Sequence, residues 1–258
     1  FKSSIKVIKI DNETKKAIEG VEFNFKYSDG QNIGNYTTNK NGEISLTKLK
    51  QGTVVATEVK TQKEYILDSK EKEILLDYDV YKELTIGNEH KRGDLKVYKV
   101  DADNNRINIG GVKFALYSYE FDKITGYYTT DVNGEISIKG LRTGDWALIE
   151  EETNKWYNLA DDVTIEVEAN KDNETTIENE LKKGQIKVIK VDMDNNEVKL
   201  SGVTFNVIDQ NGTILESITT DENGEASTHE YAVRDFEKLT LKEVKTQKDY
   251  VLNDIPQT

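Results

Sequence analysis

Three lysines stand where an apolar side chain is expected. In Ile5-x-Val7-x-Lys9, Leu95-x-Val97-x-Lys99 and Ile186-x-Val188-x-Lys190, residues of equal parity share one face of an extended strand, so each lysine ends an apolar row. A glutamate ends a second row in each case: Val54-x-Ala56-x-Glu58, Trp146-x-Leu148-x-Glu150 and Leu239-x-Leu241-x-Glu243. An amide ends a third row twice, in Leu84-x-Ile86-x-Asn88 and Thr175-x-Ile177-x-Asn179, at Lys-to-Asn separations of 79 and 80 residues. Burying a lone ammonium is costly, and a fold relieves that cost by removing its proton or by giving it partners. The plain reading is a buried Lys-Glu ion pair with the asparagine as hydrogen-bond partner. The opposite parity of the first strand is apolar too (Ile8, Ile10; Tyr98, Val100), so alternation alone leaves open which face points inward.

These side chains recur because the chain repeats. IKVIKID (Ile5 to Asp11), LKVYKVD (Leu95 to Asp101) and IKVIKVD (Ile186 to Asp192) open three successive units, the register returning after 90 residues and then after 91. Each opening leads to a Gly-Val-x-Phe phrase (Gly20 to Phe23, Gly111 to Phe114, Gly202 to Phe205) and then to Asn-Gly-Glu at Asn41, Asn133 and Asn223. Between these phrases, Val, Ile, Thr, Tyr and Phe alternate with polar residues at period two, punctuated by Asn, Asp and Gly. That predicts strands and turns, and several short strands in a unit of this size predict a β-sandwich. Asn-Gly between strand-like stretches predicts a tight type I′ hairpin. The expected architecture is all-β: three tandem Ig-like or prealbumin-like sandwiches in an elongated string, spanning 1–91, 92–182 and 183–258. Junctions such as Asn88 to Gly93 and Asn179 to Gly184 are short, and one proline in the chain leaves no proline-rich linker.

Composition excludes several function classes. With 48 acidic against 35 basic side chains the net charge is −13, which repels nucleic acid and anionic membranes. No apolar run approaches the roughly 18 residues that cross a bilayer, so no membrane contact is expected within this chain. Zero cysteines and two isolated histidines, His90 and His229, offer no thiolate or histidine-rich metal site, and no cofactor is expected. Both histidines are expected in solvent. The Asp101-x-Asp103-Asn104-Asn105 and Asp192-x-Asp194-Asn195-Asn196 stretches are rich in oxygen but lack the glycine and distal glutamate of an EF-hand, and are read as Asx-rich turns. No phosphate-binding glycine loop and no serine-histidine-acid set is evident, so a hydrolase built on the carboxylates is disfavoured.

The opening hydrophobic-x-Lys-x-Asp strand, the Gly-Val-x-Phe phrase, the Asn-Gly-Glu turn and a glutamate seven residues before a tyrosine (Glu58/Tyr65, Glu150/Tyr157, Glu243/Tyr250) resemble Cna-B repeats. These are the B-type domains of Gram-positive collagen adhesins and pilins, and the resemblance covers the chain in three copies. It implies transthyretin-like or inverse-Ig-like sandwiches in an extracellular stalk on the bacterial cell wall. It further implies an autocatalytic isopeptide bond between a first-strand lysine and a last-strand asparagine, assisted by a buried acid: Lys9 to Asn88 with Glu58, and Lys99 to Asn179 with Glu150. The residue types suit that chemistry. A neutral lysine can attack the carboxamide carbon, and a protonated glutamate can polarise the carbonyl and shuttle protons to departing ammonia. Each unit reacts once, on itself, so no turnover enzyme is expected.

The third unit departs from the pattern. Lys190 and its acid Glu243 are present, but the matching asparagine is expected near position 270, beyond Thr258, so no internal Lys190 crosslink and no final strand are expected within this chain. Either the chain is cut inside this domain or a separate strand carrying Asn or Asp completes it. The terminal Ile-Pro-Gln-Thr resembles a sortase sorting motif, yet its place relative to Tyr250 parallels mid-domain chain in the other units. Asn-x-Thr sequons at Asn12, Asn35, Asn173 and Asn211 matter only in a eukaryotic secretory pathway, which the resemblance argues against. The expected partners are neighbouring domains of the same surface protein, with the chain monomeric. Alternatives are a module that binds a host extracellular-matrix protein, or a pilin subunit, although Pro256 as the sole proline leaves no Tyr-Pro-Lys pilin motif.

Overall fold

The computed structural model describes residues 2–258; Phe1, the first residue of the expected 1–91 unit, lies outside the described residues. Unit 1 contains β1 (Ser3–Asp11), β2 (Glu22–Tyr27), β3 (Asn32–Thr37), β4 (Glu43–Leu49), β5 (Gly52–Lys60), β6 (Lys72–Leu76) and β7 (Tyr81–Asn88). They form two sheets, β4-β1-β7 and β3-β2-β5-β6. Between the sheets lie Ile5, Val7, Val21, Phe23, Phe25, Val54, Ala56 and Leu76, all essentially inaccessible to water. Unit 2 repeats the plan with β8 (Arg92–Asp101), β9 (Lys113–Ser118), β10 (Lys123–Thr129), β11 (Glu135–Arg142), β12 (Gly144–Glu152), β13 (Val163–Val167) and β14 (Asn173–Asn179), in sheets β11-β8-β14 and β10-β9-β12-β13.

Which face of the opening strand is inward is now settled. Ser3, Ile5, Val7, Lys9 and Asp11 are buried and the residues between them are partly exposed. The strand sits in the middle of its sheet, antiparallel to β4 and parallel to β7, with Asp11 opposite Asn88. First and last strands of a unit are therefore direct neighbours, and the pairing recurs between β8 and β14.

The Asn-Gly turn differs from expectation. It does not close a hairpin, because β3 pairs with β2 whereas β4 crosses to pair with β1. Nor is it type I′: only Gly42 has positive φ (+72°), following a turn closed by Gly42 N–H to the Asn39 carbonyl. The reason is a close approach. A Cβ on Gly42 would lie 2.4 Å from the Lys9 carbonyl oxygen, and the Lys9 N–H donates to the Gly42 carbonyl, so the glycine lets the crossover seat against β1.

Unit 3 is built from β15 (Lys183–Gly184), β16 (Lys187–Ile189), β17 (Thr204–Ile208), β18 (Ile214–Thr219), β19 (Glu225–Ser227), β20 (Tyr231–Ala232), a 3-10 turn (Val233–Asp235) and β21 (Thr240–Lys245). One sheet, β18-β17-β21, matches three of the four strands of its counterparts. The other is two short pairs, β15-β20 and β16-β19, and among the described residues no strand takes the β7 or β14 place beside β16. Its core is correspondingly small, centred on Leu200, Val203, Phe205 and Val207. Gln257 bridges Leu241, two residues before Glu243, where β6 and β13 flank β5 and β12 in the other units. Ile-Pro-Gln-Thr is exposed, with Gln257 bridged to the edge of β21 where the other units place a mid-domain strand, as its spacing from Tyr250 predicts.

The junctions are paired rather than loose. Tyr65 bridges His90 and Tyr157 bridges Leu181 across the short linkers. His90, expected in solvent, is half-buried with its ring edge-on to Tyr65 at 5.1 Å, because the linker is zipped onto the tyrosine loop; His229 is exposed.

Candidate functional site

In unit 1 the side chains of Lys9 and Glu58 have no solvent exposure, and Asn88 is 1% exposed. They come from three strands: Lys9 from the centre of one sheet, Asn88 from the parallel neighbour, and Glu58 from β5 of the facing sheet. The Lys9 ammonium donates to Asn88 Oδ1 at 2.5 Å and lies 2.8 Å from Glu58 Oε2. The Asn88 amide nitrogen donates to Glu58 Oε1 at 2.7 Å and to Thr61 Oγ1 at 3.0 Å. Phe23, from the Gly-Val-x-Phe phrase, covers the amine with its ring centre 5.7 Å away.

Unit 2 reproduces the arrangement almost atom for atom. Lys99 donates to Asn179 Oδ1 at 2.5 Å and lies 3.0 Å from Glu150 Oε2. Asn179 Nδ2 donates to Glu150 Oε1 at 2.6 Å and to Thr153 Oγ1 at 3.0 Å, under the Phe114 ring. Burial pulls the pKa of Lys9 and of Lys99 below the ordinary lysine value, with the neighbouring Glu58 or Glu150 opposing it. The carboxyl faces the amide nitrogen, whereas the sequence reading placed it on the amide oxygen; this position suits proton delivery to a leaving amine better than polarisation of the carbonyl.

Unit 3 holds half of the set. Lys190 donates to Glu243 Oε2 at 2.8 Å, but its side chain is 22% exposed where Lys9 and Lys99 have none. Two buried acceptors, Glu243 Oε1 and Thr246 Oγ1, have no hydrogen-bond partner among the described residues. These are the counterparts of the two atoms that take the asparagine amide protons in units 1 and 2.

All eight residues singled out in the sequence therefore fall at equivalent places, and six of them close into two complete triads. The threonines were missed, although Glu-x-x-Thr recurs at Glu58/Thr61, Glu150/Thr153 and Glu243/Thr246 and was a signal available to find them. The oxygen-rich turns also find their use. Asp101 Oδ1 accepts the N–H groups of Asp103 and Asn104, and Asp192 Oδ1 those of Asp194 and Asn195, which spends that oxygen on the turn itself.

Three sandwiches, each with a lysine and a glutamate facing one another and the first two with their first and last strands paired in parallel, define tandem prealbumin-like domains. The model of the SpaA prealbumin-like fold domain matches residues 3–90, 93–181 and 184–258, and the chain belongs to that family. It is 27% identical over 262 aligned positions to serine-aspartate repeat-containing protein F of Staphylococcus epidermidis, covering 83% of this chain and 15% of that protein. The same protein from strain ATCC 12228 matches equally, with 16% of its length covered. The chain thus spans about a sixth of the curated relatives it matches. Among solved structures, the Bacillus anthracis TIE protein superposes with a TM-score of 0.55 at 24% identity, over 98% of this chain and 47% of that one, which establishes a shared fold. Among the described residues no helix is long and apolar enough to cross a membrane.

Proposed function

We propose that the chain is a stalk segment of a Gram-positive cell-wall surface protein, whose first two units lock themselves with Lys9-Asn88 and Lys99-Asn179 isopeptide bonds. The observation that carries this reading is the pair of dry triads. An amine, a carboxamide and a carboxyl group lie in contact, sealed from water, at the same place in two units. The reactive form has the lysine proton moved to the glutamate, leaving a neutral amine beside a neutral acid in a site that disfavours charge. The amine Nζ attacks the asparagine Cγ, forming the new C–N bond. The carboxamide Cγ–Nδ2 bond then breaks, the nitrogen leaving as ammonia after taking a proton from the glutamate it already contacts; the surplus proton of the attacking amine returns to that carboxylate. One amide replaces another, one ammonia departs, and the glutamate ends as the neutral acid it was in the reactive form, holding the proton that came from the lysine ammonium.

The product suits a load-bearing role. Because the lysine strand and the asparagine strand lie at the two ends of the unit's sequence, a bond between them carries axial force around the fold instead of through its hydrogen bonds. A matrix-binding surface repeated on every unit gains no support: the exposed Tyr127 of unit 2 corresponds to Asn35 in unit 1 and Ser217 in unit 3.

Intact mass spectrometry of the denatured chain tests the proposal. The expected mass is that of the sequence minus two ammonia molecules, with one restored in Lys9→Ala and one in Lys99→Ala. An unreduced mass overturns the crosslinks and leaves two buried ion pairs.

A further inference from the structure

The aspartate two residues after each of the three lysines uses its two oxygens differently. Oδ1 caps its own turn, as Asp11 does for the Glu13 and Thr14 N–H groups, and Oδ2 accepts the hydroxyl of the tyrosine seven residues after the glutamate. The distances are 2.9 Å for Tyr65-Asp11, 2.7 Å for Tyr157-Asp101 and 2.8 Å for Tyr250-Asp192. The carboxylate lies at the pole of the unit from which the chain leaves.

At both junctions an arginine of the next unit reaches that same oxygen. Arg142, at the end of β11 and only 2% exposed, donates to Asp11 Oδ2 at 2.7 Å and to Glu13 at 2.9 Å, and is held from its own unit by Glu120 at 2.8 Å. Arg234 reaches Asp101 Oδ2 at 3.2 Å and the Tyr157 hydroxyl oxygen at 2.9 Å. The two arginines do not occupy equivalent positions. Arg142 pairs with Arg92 in the sheet, where Ala232 pairs with Lys183 in unit 3, so Arg234 lies two residues farther along, in the 3-10 turn. Different backbone positions thus deliver the same group to the same seat. In unit 3 the Tyr250-Asp192 bond forms with partners from its own unit alone, so the seat does not need the arginine to organise it.

We propose that the Asp-Tyr pair at the pole of each unit is a preformed guanidinium socket, through which the arginine of the adjoining prealbumin-like unit fixes the angle between them. A planar, permanently charged fork suits a carboxylate whose other oxygen is already committed, and a seat organised in advance costs little further ordering on docking. The first junction is the tighter lock, since Arg142 is enclosed by three carboxylates while Arg234 is 30% exposed.

The absence of cysteine allows spin labels to be placed on the whole chain at Thr47→Cys and Thr176→Cys for the first junction, and at Thr176→Cys and Lys242→Cys for the second. Double electron-electron resonance is expected to show that Arg142→Gln broadens the first distance distribution about twofold or more and leaves the second unchanged, with Arg234→Gln doing the converse. Asp11→Asn should reproduce Arg142→Gln from the other side of the junction. Tyr65→Phe, which deletes one hydroxyl, should broaden it less, and Glu120→Gln, which severs no bond across the junction, least. Amide NMR spectra of each variant report whether its unit remains folded. Unchanged widths in folded Arg142→Gln and Tyr65→Phe overturn the proposal, as does broadening by Glu120→Gln equal to that by Arg142→Gln.

Discussion

Units 1 and 3 carry the same lysine and the same glutamate, yet they place them in different surroundings. Lys9 is enclosed by a strand on each side, whereas Lys190 has β19 on one side and is 22% exposed. The backbone around it is nearly the same: Lys9 and Lys190 both take the turn glycine's carbonyl, at 2.7 and 2.8 Å. The opening strand and facing sheet therefore suffice to bring amine and acid together. The parallel strand supplies the amide and the desolvation, and desolvation is what depresses the lysine pKa. The contrast separates bringing amine and acid together from desolvating them.

The largest expected effect follows from the covalent bonds. Under the proposed crosslinking, a bond that closes a loop of about 80 residues restricts the unfolded chain by about 4–5 kcal/mol on loop-entropy grounds. Units 1 and 2 should then survive denaturant that unfolds unit 3, and Lys9→Ala should bring unit 1 down by at least that amount while leaving unit 2 in place. Hydrogen exchange followed unit by unit in guanidinium chloride checks this. Simultaneous loss of all three units would erase the contrast.

Removing the acid should discriminate next. Glu58→Gln is expected to leave unit 1 with its ammonia unexpelled and Lys9 buried without a counter-charge, at a cost of about 3–5 kcal/mol. In Glu243→Gln the partly exposed Lys190 can turn to water, and the loss should be about 1 kcal/mol or less. Denaturant midpoints combined with intact masses measure both. Equal losses in the two variants would mean that burial does not distinguish the sites.

The pH dependence sharpens the same point. In an uncondensed unit 1, such as that of Glu58→Gln, folded Lys9 binds its proton less tightly than the unfolded lysine at its usual 10.5. The groups around it are Asn88, Phe23, Asp68 and Lys72. Between the depressed folded value and 10.5 the unfolded state holds more protons, so stability rises with pH through that window and levels off above it. Melting this variant at stepped pH should show the rise, and adding Lys9→Met should flatten it.

Much of this was legible in the sequence because it depends on period and repetition. Lysine, glutamate and asparagine each ended an apolar row at a fixed separation, and the structure brings six of the eight into two triads and the other two into a pair. The crossover was not legible. Asn-Gly reports that a turn needs a left-handed residue, but whether the chain then pairs back or changes sheet depends on the Lys9 carbonyl, a contact more than thirty residues distant. The arginines were hidden for a similar reason. Arg142 and Arg234 do not share a repeat position, so self-comparison passes over the fact that they reach the same kind of carboxylate.

The smallest expected effect is the most specific to the comparison. Thr61 Oγ1 accepts a proton from the Asn88 amide, while Thr246 Oγ1 is buried without a partner among the described residues. Valine nearly matches threonine in shape and removes the hydroxyl. In an uncondensed unit 1, such as that of Lys9→Met, Thr61→Val strips an acceptor from a buried amide, which costs about 1 kcal/mol and holds the carboxamide less firmly; in unit 3 Thr246→Val removes a hydroxyl that was desolvated for nothing, and should be neutral or slightly stabilising. The sign difference is measurable as opposite shifts in the unfolding midpoints of the two units. The unit 3 shift should reverse, and the sign difference vanish, when a synthetic strand copied from Asn173–Leu181 is added, because the asparagine amide of a docked strand would give Thr246 the proton that Thr61 already receives. A peptide that leaves the Thr246→Val midpoint unmoved relative to the parent would show that the open edge of β16 does not accept a strand in the β14 register.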